Sequence, residues 1–343
     1  MTSRTTPQQL AADPAALVRF ASLEWQQLSH YERLELVRGV AELGHPTNVQ
    51  VFGGLLEHME DPVFQAQILS ALDLSALGGG IPTFFESLLA SPDNRVRANA
   101  VEALGQARDE RLRAVVHPLL SDPDNRVRAN ACVHLWRYPE EHDQVQSVLE
   151  QMSSTDDPWV RTSAIFACAR LKDPAFDPLL VRSLEDSYEP AVLQALRALT
   201  ERGTPGLAPH LKRLLADESR GTALHQAAAE AALTLPVLEP EILGDLLRAV
   251  GAIGDRELQD RCLRDLAQYD APALPEKLLE MLERLRSDQY HLCQRLLELM
   301  GKVGRPEHRT RLAKLATGSL ALYADIVEQT LRKIGWRRRW WGA

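Results

Sequence analysis

Nine residues, Pro92-Asp-Asn-Arg-Val-Arg-Ala-Asn-Ala100, recur unchanged as Pro123-Asp-Asn-Arg-Val-Arg-Ala-Asn-Ala131, an offset of 31 residues. Weaker copies begin at Asp61-Pro62 and at Asp157-Pro158-Trp-Val-Arg161, so the prolines at 62, 92, 123 and 158 stand 30, 31 and 35 residues apart. A period of this length belongs to stacked repeat units, each too small to bury its own apolar face. A length of 343 residues alone would suggest two or three ordinary domains. The period replaces that with a single array, 1–343, of about ten units.

The unit reads as two helices joined by tight turns. Asp or Ser before proline, at 61, 91, 122 and 157, predicts a helix N-cap followed by a residue pre-set for the first turn. Val96, Ala100 and Leu104 then fall at i, i+4 and i+8, an apolar stripe along one helix face, and Val127, Ala131 and Leu135 repeat it. About a dozen residues upstream lie shorter helical segments, Phe84-Phe-Glu-Ser-Leu-Leu89 and Val115-Val-His-Pro-Leu-Leu120. Only 6% of residues are aromatic, as expected of thin two-helix layers packed with Ala, Val and Leu.

This pattern resembles the HEAT-repeat family, in the short subclass associated with phycobilisome lyases, whose consensus is similar to Asp-Pro-Asp-x-x-Val-Arg followed by small residues and Ala-Leu-Gly. Asp122, Pro123, Asp124, Val127, Arg128 and Ala131 match it, as do Pro92, Asp93, Val96, Arg97, Ala100, Ala103, Leu104 and Gly105, with Ser91 in place of the leading Asp. The resemblance implies an all-α fold, a right-handed α-α superhelix of about ten stacked helix pairs. It also implies that Arg97, Arg128 and Arg161 form a ladder with acceptors in neighbouring repeats, a structural role.

The match is specific over roughly 61–171, with the best repeats at 81–171. The helix-pair rhythm continues without the signature over 174–335, in pairs near 174–202, 205–235, 239–269, 272–304 and 306–335, and precedes it over 14–77, in pairs near 14–44 and 46–77. Gly78-Gly-Gly80 follows no strand and reads as a turn, not a phosphate loop.

Enzyme signatures are missing. There is no His-Glu-x-x-His, G-x-S-x-G or Walker A sequence. Cys132, Cys168, Cys262 and Cys293 form no C-x-x-C and read as small core residues, and no metal or cofactor is expected. His291 and Cys293 stand at i and i+2, on different sides of a helix. Three enzymatic branches share the fold. Deoxyhypusine hydroxylases use His-Glu dipeptides, and none of the ten His here is followed by Glu. Alkylpurine DNA glycosylases need a cationic groove. The net charge is −8, with +6 from Gly304 onward and −14 over residues 1–303, which argues against nucleic acid. Phycobilin lyases share the repeat subclass and stay open as an enzymatic alternative. No apolar run approaches the roughly 18 residues of a membrane span. The opening Met1-Thr-Ser-Arg-Thr-Thr-Pro7 lacks the apolar core of a secretion signal, so a cytoplasmic protein is expected.

The function expected is therefore a non-enzymatic scaffold or adaptor that binds another protein on the inner face lined by the second helix of each pair. Off the core stripe, Arg95, Asn99, Glu102 and Gln106 align with Arg126, Asn130, Val133 and Arg137, and then with Trp159, Ser163, Phe166 and Arg170. Arg95, Asn99, Arg126, Asn130, Arg137, Trp159, Phe166 and Arg170 would form a stripe for an acidic or mixed-charge protein partner. The alternative is that Arg95 and Arg126 solvate helix starts and Trp159 packs on its neighbour.

The tail, 336–343, places Trp336, Trp340 and Trp341 around Arg337, Arg338 and Arg339. It reads as a seal on an apolar solenoid end, as a partner-docking peptide, or as a weak peripheral membrane contact. The oligomeric state is left open.

Overall fold

Asparagine, arginine and alanine alone do not start a helix; the aspartate before them does. The computed structural model describes residues 13, 18–19, 25–42, 47–56, 61–72, 74, 84–105, 107, 110–285 and 289–336, and every regular element among them is a helix. They divide into two compact units, Met1–Asp173 and Pro174–Ala343.

The first unit holds α1 (His30–Ala41), α2 (Thr47–Leu56), α3 (Pro62–Ala71), α4 (Phe84–Leu89), α5 (Asn94–Leu104), α6 (Leu112–Val116), α7 (Asn125–Leu135), α8 (His142–Ser153) and α9 (Pro158–Leu171). The second holds α10 (Asp177–Ser183), α11 (Glu189–Arg202), α12 (Ala208–Ala216), α13 (Thr222–Ala232), α14 (Pro240–Gly251), α15 (Arg256–Leu266), α16 (Leu274–Arg284), α17 (Tyr290–Val303), α18 (Arg309–Ala316) and α19 (Ala324–Trp336). Each expected pair from 46–77 onward contains two of these helices; of the first half of the 14–44 pair only residues 18–19 and 25–29 are described, and the turn at Gly78-Gly-Gly80 lies outside the described residues.

The second helices α3, α5, α7 and α9 pack side by side on small residues. Val96, Ala100 and Leu104, and likewise Val127, Ala131 and Leu135, are essentially fully buried. Each Val or Leu removed from water in this way stabilises by roughly 1.5–3 kcal/mol before chain entropy is counted.

The caps differ in one respect from the sequence expectation. Asp61 and Asp157, each directly before proline, do cap α3 and α9 by accepting from the amides of Val63 and Trp159. Ser91 and Asp122 do not cap. The caps of α5 and α7 are Asp93 and Asp124, which accept from Arg95 and Val96 and from Arg126 and Val127. Pro92 and Pro123 therefore sit in the turn before the helix. The upstream segment at 115–120 is also broken. After Val116 the chain tightens into a 3-10 turn, His117–Ser121, because Pro118 has no amide to continue an α-helix.

The array's last helix presents polar residues outward. Asp325, Glu328, Gln329 and Arg332 of α19 are exposed, while Val327, Thr330 and Ile334 face the stack. A polar outer face is the form a terminal repeat takes when it caps a solenoid, although Leu322 beside this helix is 79% exposed. Arg337, Arg338, Arg339, Trp340 and Trp341 lie outside the described residues, and of Trp336 only the backbone is described. Removing residues 337–343 is expected to leave the thermal midpoint of the full chain within about 2 °C; a fall of about 5 °C or more in a calorimetric melt would restore the sealing role.

Candidate functional site

Position two after each N-cap aspartate points away from the core stripe, and there Val63, Arg95, Arg126 and Trp159 form an exposed row across α3, α5, α7 and α9. Trp159 is 65% exposed, and Phe166, two turns further along α9, is 39% exposed. The Arg170 guanidinium lies over the Phe166 ring, 5.6 Å from its centroid, and its Nη1 donates to Glu102 Oε1 at 2.7 Å. That ion pair joins α9 to α5 across the intervening α7. In a flat row, helix axes two apart stand roughly 16–20 Å from each other. Side chains of α5 and α9 thus meet over α7 on this face of the first unit.

The arginines on this face are used unequally. Arg95 forks onto Asp93, with Nη2 donating to Oδ2 at 2.7 Å and Nε to Oδ1 at 3.2 Å. This pairing holds the Asp93 carboxyl at about 2, below its ordinary value. Arg137 donates to three carbonyls, of His134 (3.1 Å), Ala107 (2.8 Å) and Gly105 (2.5 Å), tying α7 to the end of the preceding repeat. Arg126 is exposed and has no carboxylate partner among the described residues. Its own Asp124 accepts the Arg126 and Val127 amides through Oδ1 and Asn94 Nδ2 through Oδ2 at 2.5 Å.

The asparagines expected on the partner stripe serve the stack instead. Asn99 Nδ2 donates to the carbonyl of Ala66 at 2.7 Å, and Asn130 Nδ2 to that of Ala98 at 2.9 Å. Asn130 is only 8% exposed. Each bond reaches back 33 or 32 residues to the previous second helix, a tie that Thr330 to Leu297 repeats in the second unit. The recurrence of Asn at the 31-residue offset was the available signal. Of the eight stripe residues, Arg95, Arg126, Arg137, Trp159, Phe166 and Arg170 are exposed, while Asn99, Asn130 and Arg137 also bond to the preceding repeat.

The arginine ladder is corrected in the same way. Arg97, Arg128 and Arg161 each clamp their own turn, Nη1 donating to the carbonyls five and six residues earlier: Pro92 and Ser91, Pro123 and Asp122, Asp156 and Thr155. Arg97 also reaches the next repeat, donating to both oxygens of Asp122 at 2.8 and 2.9 Å. Arg128 does not, because the position matching Asp122 one repeat on is Thr155.

Elsewhere the described residues offer little chemistry. In the second unit, α11, α13 and α15 line a groove of about 420 Å³, floored by Ala223, Ala227 and Ala231 and rimmed by Arg197, Glu230, Arg261 and Asp265. Its one thiol, Cys262, is buried, and burial pushes it up to about 11. Burial likewise pushes Cys132 up to about 12 and Cys293 to about 11, so none of these three is held as a thiolate near neutral pH. His291 turns from Cys293 to Asp260, 3.0 Å away. No three His, Cys, Asp or Glu among the described residues converge to hold a metal ion, and no described helix is long and apolar enough to cross a membrane.

A family model for HEAT repeats matches residues 81–164 and 145–234, extending the repeat beyond the stretch where the signature is plain. No curated protein matches the chain. Among solved structures, human deoxyhypusine hydroxylase in complex with glycerol is 16% identical with a TM-score of 0.28, over 80% of this chain and 98% of that one. The complex of CpcE and CpcF of phycocyanin lyase from Nostoc sp. PCC7120 is 23% identical with a TM-score of 0.37, over 66% of this chain and 97% of that one. Nothing of either protein's chemistry carries over on likenesses this distant. The repeat itself is what the sequence motif, the packed helix pairs and the family match share: the described residues are all-α, and residues 81–234 match HEAT repeats.

Proposed function

We propose that the chain is a non-enzymatic adaptor that binds another protein on the Arg126 and Trp159 face of its first unit. The observation that carries this reading is the exposed Trp159 and Phe166 beside an Arg126 with no carboxylate of its own. Exposed aromatics are costly to leave in water, and Trp and Arg are the side chains that most often anchor protein interfaces. The thiols with raised pKa values and the absence of a convergent ligand set among the described residues leave this face as the strongest candidate for function.

The test uses the full chain as bait, compared with the Arg126→Glu, Trp159→Ala double variant. Both positions are exposed, so the variant is expected to melt with the parent. Partner recovery is expected to fall about tenfold or more, the loss of one or two anchors. If every protein captured by the parent stays bound to the variant at equal yield, this face is not the binding surface.

A further inference from the structure

Resting on that reading, we propose that the face takes an extended peptide segment bearing one carboxylate about three residues from an aromatic or branched aliphatic side chain. The carboxylate sits on Arg126 and the apolar group on Trp159 and Phe166.

Charge accounting on the face selects the anion. Arg95 is forked onto Asp93, Arg170 is paired with Glu102 and Arg137 is spent on carbonyls. Arg126 is left with a planar, five-donor fork facing solvent, the group that carboxylates bind in two parallel hydrogen bonds. The two copies differ one repeat earlier: the Asp124 oxygen equivalent to the one that holds Arg95 on Asp93 accepts from Asn94 instead. An identical Asp-Asn-Arg sequence thus yields a closed pair in one copy and an open cation in the next.

Spacing sets the separation of the two anchors. Arg126 and Trp159 are each the second residue after an N-cap aspartate, on the packed neighbours α7 and α9. Their Cα atoms therefore stand about one interhelical distance apart, roughly 10 Å. An extended chain advances about 3.3 Å per residue, so three residues span the gap. Val133 of α7, at the position equivalent to Phe166, is half-buried.

The rest of the unit limits how acidic the segment is. Residues 1–173 carry 15 Lys and Arg against 23 Asp and Glu. A polyacidic tract would meet that field along its whole length, whereas a lone carboxylate in a neutral or basic segment meets only Arg126. The same field disfavours nucleic acid and anionic membrane.

The experiment pans the full chain against a displayed library of random 12-residue peptides, then measures synthetic hits by fluorescence anisotropy. Hits are expected to carry Asp or Glu three residues from Trp, Phe, Leu or Ile, without acidic runs. Asp→Asn in a hit should weaken binding about tenfold to the parent chain and less than about twofold to Arg126→Gln, since the partner of the carboxylate is then gone. Hits without a carboxylate, hits dominated by acidic runs, or equal affinity for Arg126→Gln and the parent would overturn the proposal. If a cellular partner is lost with the double variant yet peptides show no such preference, protein binding on this face stands and the peptide chemistry proposed for it falls.

Discussion

Arg97→Ala is expected to destabilise the protein by about 3–5 kcal/mol, whereas Arg128→Ala, in an identical stretch of nine residues, should cost only about 1–2 kcal/mol. Both substitutions free two turn carbonyls. Only the first strands a carboxylate: the Asp122 side chain is 6% exposed and the Arg97 side chain 13%, and Asp122 keeps a single donor, the amide of Asp124 at 2.8 Å, when Arg97 is lost. An ion left in that position retains its desolvation cost without its partner. The double change Arg97→Ala, Asp122→Asn should recover part of the loss, since the stranded charge is gone. Urea titrations of the three variants read this directly. Equal costs at Arg97 and Arg128 would mean that the bridge between repeats contributes nothing beyond the turn clamp.

His134→Leu is expected to raise stability at pH 7 by about 1–2 kcal/mol and to flatten its decline in mild acid. His134 is 1% exposed, and neither ring nitrogen has a hydrogen-bond partner among the described residues. Burial, with a smaller contribution from Arg137, lowers its pKa from the ordinary value of 6.5 to about 4. In the unfolded chain the ring takes up its proton as pH falls below about 6.5; in the folded chain it does so only near 4. The unfolded state therefore binds more protons across that window, so stability present above 6.5 is lost as pH falls towards 4 and no further below it. The loss from this one group is on the order of 3 kcal/mol. The carboxylates work in a lower range. Asp93, at about 2, contributes stability that is lost only as pH drops below the ordinary carboxylate value. Glu141 is held below its ordinary value as well: burial alone would raise it, but the bonds from Arg113 and His117 outweigh that. Parent and variant should thus differ by a pH-dependent amount between 6.5 and 4 and by a constant below. Parallel stability curves through that window would show that the buried ring is hydrated.

The position of His134 also shows how far the sequence can be read. The repeats before and after carry Ala103 and Ala167 at the equivalent positions, both buried. The motif's Ala-Leu-Gly had become His-Leu-Trp at 134–136, a visible departure with no visible outcome. Among the described residues helix existence was legible, because caps and apolar stripes are local: α10 to α19 follow the expected pairs to within a residue even where the motif has faded. Side-chain destinations were less so. The fates of Arg97 and Arg128 depend on whether the next turn supplies Asp122 or Thr155, and beside Arg126 the Asp124 oxygen accepts from Asn94, one helix away. Asn99 and Asn130 were placed on the right helix face but on the wrong duty, since only the spacing of packed helices shows that a carbonyl lies within reach. In a repeat protein the unit is written in its own sequence, and much of its chemistry in its neighbours'.

A strut behaves differently from a glue. The bond between Glu102 and Arg170 passes over α7, so straightening the first unit, or wedging a bulky ligand between α5 and α9, stretches it before it disturbs any core contact. Both ends are exposed to solvent, 45% and 42% of each side chain, and such pairs are screened within about 8 Å at physiological ionic strength. This solvent-facing strut is a weak one, and rising salt weakens it further.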